Sequence, residues 1–198
     1  PYNELGNRID MMLTSIEDSA ARIKKIITEL KDFARPTGAD MVEETDINLV
    51  VKKSLDLTHS ILKKATTSLS VDLEEGLPVV LGNSQKMQQV VINLLVNAGQ
   101  ALENPNQSIH VQTSKLKDSR FIEIKIADTG PGISPEDLKK MKEPFFTTRR
   151  DEGGTGLGLS ISEKIVYDHK GTLEFSSEIG KGLTVRILLP LGNDEKIS

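Results

Sequence analysis

The chain contains no cysteine, which excludes disulfides, thiolate metal centres and cysteine nucleophiles. No apolar run approaches the ~20 residues that a membrane-spanning helix needs. The opening "PYNELGNRID" has none of the features of a signal peptide. A basic excess is missing as well. Lys and Arg number 25 against 29 Asp and Glu, a formal charge of −4, and this balance gives no support to a nucleic-acid-binding surface. Internal repeats are absent. The glycine-rich stretch "GGTGLGLS", from Gly153 to Ser160, lacks the spacing of two familiar phosphate cradles. Its glycines at 154, 156 and 158 alternate, so G-x-G-x-x-G is not matched, and no Lys-Ser/Thr pair follows as a P-loop requires. Taken alone, the stretch reads equally well as a phosphate cradle opening a helix or as a flexible structural loop.

What is present describes an ordinary globular protein. The 198 residues are 37% hydrophobic and 27% charged, enough for one full domain plus an extension. A start without Met suggests a fragment of something longer. The fragment is expected to be cytoplasmic and without direct membrane contact, with an anchor upstream left open.

Asn3 to Ala34 carries a heptad seam. Ile9, Ile16, Ile23 and Leu30 form one row, and Leu13, Ala20, Ile27 and Ala34 form the second, with charged residues on the other faces. Such a pattern predicts a long helix that packs in a bundle or coiled coil. It ends at Pro36, where "PTGAD" acts as a breaker. The boundaries expected are a helix over 1–36, a linker over 37–45, one domain over 46–192 and a tail over 193–198.

Within the domain, Asp46 or Asn48 caps a helix that runs to about Lys64, and Asn83 or Ser84 opens a second, strongly apolar one. "TTSLSVDLEE" alternates like a strand and "PVVLG" is a short buried one. "SIHVQTSKL" and "RFIEIKIAD" flank a turn as a hairpin, the helix "LSISEKIVYDHK" follows, and "GTLEFSSE" and "LTVRILLP" close the domain. The fold class expected is α+β, a two-layer sandwich of a mixed or antiparallel sheet with helices on one face.

Three constellations carry chemistry. Asn93 and Asn97 lie four residues apart on one face of an otherwise apolar helix. Buried amides must be satisfied, by a core network or by a ligand, because an unsatisfied one costs ~1–3 kcal/mol. A neutral amide oxygen suits Mg²⁺ arriving with substrate phosphates. "ADTGPGI" places Asp128 at the end of an apolar strand, where a carboxylate can accept from an exocyclic amine while Gly130 and Gly132 let the backbone lie against a planar base. An ordinary strand-to-loop turn would look similar. "EPFFTT", with Phe146, Thr147 and Thr148, leads through Arg149 and Arg150 to the glycines, as a mobile lid would. The arginines are either phosphate ligands or a solvated pair.

In order, "NLLVNAGQAL", "DTGPGI", "EPFFTT" and "GGTGLGLS" resemble the N, G1, F and G2 boxes of the sensor histidine kinase ATP-binding domain, over roughly residues 46–192. The Asn3–Ala34 helix, with "RIKKIITELKDFARP", resembles the second helix of that family's dimerisation and phosphotransfer hairpin. The resemblance implies a Bergerat-type sandwich that binds ATP and Mg²⁺. It also implies homodimerisation through the N-terminal helix and relay of phosphate to a response regulator receiver domain. By the same resemblance Asn97 holds Mg²⁺, Asn93 supports the metal or phosphates, and Asp128 binds the adenine amine beside Gly130 and Gly132. Residues Thr147 to Gly158 form the ATP lid, including Gly154, Thr155, Gly156, Leu157 and Gly158, and Thr184 lies near the adenine. Gln100 departs from the Lys that many relatives carry there, which leaves Arg149 or Arg150 to take its part.

Related ATPases and anti-sigma-type serine kinases carry a Glu where this chain has Asn93, and an amide has no useful basicity. Histidine phosphorylation is therefore expected in preference to ATP hydrolysis or to a degenerate nucleotide-binding scaffold. His59, His110 and His169 all lie outside the family's His-Glu-x-x-Pro context, so the acceptor histidine is expected upstream of Pro1.

Overall fold

Asp46 begins the domain by turning its carboxylate back on the chain. The side chain accepts from the Leu49 N–H at 3.0 Å and caps helix α1, Ile47–Ala65. In this computed structural model the residues described are 12–14, 16, 19, 20, 23, 24, 27, 28, 31, 43–117, 119–149 and 154–192. Helix α2, Ser84–Ala101, is capped by Asn83, whose side chain accepts from the Lys86 N–H at 2.9 Å. The short helix α3, Pro135–Lys140, starts at Ser134 with Pro in its first turn. Helix α4, Gly158–Asp168, starts at Leu157 with no side-chain cap.

The strands are β1 Glu43–Thr45, β2 Ser68–Leu73, β3 Val80–Gly82, β4 Ser108–Lys115, β5 Phe121–Asp128, β6 Thr172–Glu178 and β7 Gly182–Pro190. Five of them form a mixed sheet in the order β2-β4-β5-β7-β6, with β2 and β4 parallel and the other pairs antiparallel. Residues Glu43–Thr45, the end of the expected linker, pair antiparallel with β3 as a second, two-stranded sheet. The segment is therefore tied to the domain by ladder bonds.

Alternation decides which face of the sheet is covered. Ile122, Ile124 and Ile126 of β5 sit beside Val111 of β4 and Val185, Ile187 and Leu189 of β7, and all are buried. Three helices close this face. On α2 the buried positions Met87, Val90, Val91, Leu94, Leu95 and Ala98 follow the i, i+3, i+4, i+7 rule, and each large side chain contributes ~1.5–3 kcal/mol of burial. Helix α2 packs against α1, α4 and β5, so it lies at the centre of the helical layer. The opposite face is polar. There the Arg186 guanidinium donates to Glu123 and, at 3.1 Å, to Glu174 across neighbouring strands.

Of the heptad rows, Leu13, Ile16, Ala20, Ile23 and Ile27 are helical and exposed. Ile9, Leu30 and Ala34 lie outside the described residues, as do Arg150, Gly153 and the tail 193–198. The long helix as one continuous element is therefore not established by the described residues. No described helix is long and apolar enough to cross a membrane.

Candidate functional site

A cavity of about 370 Å³ opens between α2, the end of β5, and the segment that joins α3 to α4. Its size suits a small-molecule ligand, for which pockets of about 300–1,000 Å³ are usual. Of the residues singled out from the sequence, Asn93, Asn97, Asp128, Gly132, Phe146, Thr147, Thr148, Arg149, Gly154, Thr155, Gly156 and Gly158 line it. They come from four separate stretches of chain.

The two asparagines flank the apolar stripe of α2 and are half-buried, so the full burial expected of them is not realised. Their environments differ. Asn93 Nδ2 donates to Ser162 Oγ on α4 at 3.0 Å. Asn97 makes no side-chain hydrogen bond to any described residue, which leaves its amide oxygen for a ligand. One turn on, Gln100 is exposed.

Asp128 takes the inner-face position at the end of β5 that the series Ile122, Ile124, Ile126 would give to another apolar residue. It is only 5% exposed. Its Oδ1 accepts from the Gly130 N–H at 2.9 Å and from the Leu183 N–H at 3.3 Å. Oδ2 is thus the oxygen left for a ligand. Burial pushes the carboxyl above the ordinary carboxylate value, while the two backbone donors and the charge of Arg149 pull it down. Gly130 itself is buried beneath this carboxylate and does not line the cavity.

The segment expected to form a lid is described at both ends, 143–149 and 154–158. Two backbone bonds draw the ends together, Phe145 N–H to Gly156 C=O at 2.9 Å and Gly154 N–H to Arg149 C=O at 3.0 Å. Gly156 has φ +71°, and a Cβ there would run into the Phe145 backbone. At Gly158 a Cβ would lie 2.6 Å from Asn93 Oδ1, so the first residue of α4 must be bare for α2 to approach it. Lys142, just before the lid, bonds Glu163 of α4 at 2.7 Å and the Leu173 carbonyl at 3.0 Å. Its ammonium also stands 5.4 Å over the ring of Phe175, a cavity residue.

Two more of the residues expected at the ligand do not line the cavity. Thr184 does not line the cavity, because alternation along β7 puts Leu183 and Val185 on the inner face and Thr184 on the other. Leu157 is not a lining residue either. Its side chain is 1% exposed and belongs to the core. Ile126, Ile133, Met141, Phe175, Leu183 and Val185 line the cavity and were missed. The inner-face alternation could have pointed to Ile126 and Val185. None of the three histidines lies on the cavity. His59 is exposed on α1, His110 Nδ1 pairs with Ser70 Oγ at 2.8 Å, and His169 Nε2 accepts from the Asn83 N–H at 2.9 Å.

Comparison with known proteins matches residues 82–193 to the family described as histidine kinase-, DNA gyrase B-, and HSP90-like ATPase. Sporulation kinase E of Bacillus subtilis (strain 168) is 34% identical over 202 residues, which cover 96% of this chain and 27% of the relative. Sensor histidine kinase ZraS of Escherichia coli (strain K12) is 28% identical over 191 residues, 96% of this chain and 40% of the relative. The chain thus spans 27% to 40% of the length of these relatives. Among solved structures, full-length ShkA in complex with AMPPNP superposes with a TM-score of 0.79 at 21% identity, covering 91% of this chain and 38% of that one. Histidine kinase ThkA in complex with response regulator protein TrrA gives 0.74 at 22% identity, with 91% and 51% covered. At these identities the two structures speak for the fold. With the family match spanning more than half of its length, the chain belongs to the histidine kinase-, DNA gyrase B-, and HSP90-like ATPases, as a sensor histidine kinase catalytic ATP-binding domain.

Proposed function

We propose that this chain is the catalytic region of a two-component sensor kinase, which binds ATP in the cavity and passes the γ-phosphate to a histidine outside the chain. The observation that best supports this is the convergence of Asn97, Asp128 and both ends of the lid on one cavity with no histidine on it. In the proposed pose Asp128 Oδ2 accepts from the exocyclic amine of adenine, and Oδ1 stays with its two backbone donors. The phosphates run toward Asn97, Thr147, Thr148, Arg149 and the amino end of α4, where Gly156 and Gly158 bring free N–H groups close.

Among the described residues no group of three or more His, Cys, Asp or Glu could hold a metal by itself. An unpartnered amide oxygen at Asn97 beside a nucleotide's phosphates fits a hard cation that takes most of its ligands from substrate and water, as Mg²⁺ does. Mg²⁺ bound there would neutralise phosphate charge. Asn93, an amide, takes no proton from water, so the chain holds and orients ATP until an acceptor is brought in line. Dimerisation through residues 1–36 and relay to a response regulator receiver domain are part of the same proposal, since the chain spans only part of its relatives.

Calorimetric titration with AMPPNP, with and without Mg²⁺, tests the reading. The parent is expected to bind with Mg²⁺, and Asn97→Ala to lose the Mg²⁺-dependent part of the affinity while unfolding at the same urea concentration. Undiminished affinity in the variant would remove Asn97 from the site.

A further inference from the structure

Ser162 is 2% exposed, and its hydroxyl has one proton to give. That proton is committed. Ser162 Oγ donates to the Gly158 carbonyl at 2.9 Å, and a carbonyl can only accept. The second contact of the same oxygen, with the Asn93 amide at 3.0 Å, must therefore be one in which Asn93 donates. This ordering settles which way the amide faces. Nδ2 is bonded to Ser162, and Oδ1 is the end left over, beside the start of α4, where a Cβ on Gly158 would stand 2.6 Å away and where both residues line the cavity.

We propose that Ser162 is a positioning residue for the phosphate side of the cavity, acting through Asn93. The one-way chain from Asn93 N–H through Ser162 O–H to Gly158 C=O does two things. It presents the lone pairs of Asn93, the only groups on that side chain able to face a cation, and withholds its N–H₂. It also ties α2, which carries Asn97, to the first turn of α4, where the lid ends. Without the hydroxyl the amide can turn over, and a donor can then face the cation in place of an acceptor. The local alternative is a serine that merely bonds its own helix at i−4. That role would affect stability and leave ligand affinity alone.

The inference rests on the ATP reading, and its test separates the two. AMPPNP is titrated into the parent, Ser162→Ala, Asn93→Ala and the double variant, with Mg²⁺ and again with excess chelator. Side-chain amide resonances of Asn93 are recorded without nucleotide. Ser162→Ala is expected to shift the Asn93 amide pair and to weaken Mg²⁺-dependent binding about threefold to tenfold, the worth of one neutral hydrogen bond. With chelator the loss should vanish, and in the Asn93→Ala background Ser162→Ala should cost nothing further. Ser162→Thr, which keeps the hydroxyl, should recover most of the affinity. Equal binding by parent and Ser162→Ala, a loss that persists with chelator, additive losses in the double variant, or unmoved Asn93 resonances would each overturn the inference. A parent that does not bind AMPPNP at all would overturn the ATP reading as well, and that result is distinct from a binding parent matched by its variant.

Discussion

Replacing Asp128 by Asn separates what this side chain does for the fold from what it does for the ligand. Both backbone donors that hold it, the Gly130 N–H at 2.9 Å and the Leu183 N–H at 3.3 Å, converge on Oδ1. An asparagine can keep its own Oδ1 in that place, so no bond of the fold is lost. The variant also sheds a charge that burial disfavours. Its stability at neutral pH should therefore equal or exceed that of the parent. Binding should behave differently. In place of Oδ2 the variant presents an N–H₂ to the adenine amine, so a bond to a charged acceptor disappears and two donors are left facing each other. A bond of that kind is worth ~1.5–3 kcal/mol, and an unsatisfied buried donor costs ~1–3 kcal/mol. A combined loss of about 2.5–6 kcal/mol corresponds to roughly 60- to 20,000-fold in affinity.

Guanine nucleotides carry a carbonyl where adenine carries its amine, so the new donor has a partner there. Calorimetry with AMPPNP and GMPPNP at one Mg²⁺ concentration, paired with urea unfolding, reads both effects. The expected result is an unchanged or higher urea midpoint together with collapse of the preference for the adenine nucleotide. A variant that prefers AMPPNP as strongly as the parent would show that Asp128 does not read the base.

The raised pKa of Asp128 has opposite consequences for stability and for binding. Because the folded value lies above the unfolded one, this carboxyl favours folding most below its ordinary range, and that contribution is lost as pH rises through the folded pKa. Adenine binding needs the ionised acceptor. Affinity should fall as pH drops through a value above the ordinary ~3.9, and a pH series of titrations should find this acid limb in the parent and not in Asp128→Asn. The pair Lys142–Glu163 ties the chain entering the lid to the helix leaving it, with both side chains more than one-third exposed, 38% and 40%. Lys142→Met should therefore cost less than ~1 kcal/mol in stability but should speed proteolytic cutting within the lid severalfold. An unchanged cutting rate would mean that the pair does not restrain the lid.

Much of the helical layer could be read locally. The stripe Met87, Val90, Val91, Leu94, Leu95 and Ala98 announces α2, and Asn93 and Asn97 stand out as polar residues beside it. The caps Asp46 and Asn83 and the β4–β5 hairpin depend on neighbours in sequence, and each appears as expected. Helix α3 had the same kind of signal, a capping Ser134, Pro135 at the first position and acids in the first turn, and it went unread. The parallel pairing of β2 with β4 left no local trace, because its register is set by packing across 40 residues of chain, as Ser70 beside His110 illustrates. The same holds for the bond between Asn93 and Ser162, which are 69 residues apart.

The position of Thr184 off the cavity follows from strand alternation. Strand side chains repeat with period two, so neighbours in sequence take opposite faces. On β5 the series Ile122, Ile124, Ile126, Asp128 needs no structure to show that the carboxylate shares the buried face. On β7 the corresponding series is Leu183, Val185, Ile187, Leu189, and its register partners Ile126, Ile124 and Ile122 on β5 are buried with it. Threonine at 184 carries the more familiar chemistry, but the period belongs to its neighbour. The backbone N–H of Leu183 reaches the Asp128 carboxylate, while its side chain lines the cavity. That contact to Asp128 is made by a main-chain donor, which any residue except proline could supply. The bond from Leu183 to the carboxylate therefore survives most substitutions at 183 and is lost with proline there, which has no N–H to donate.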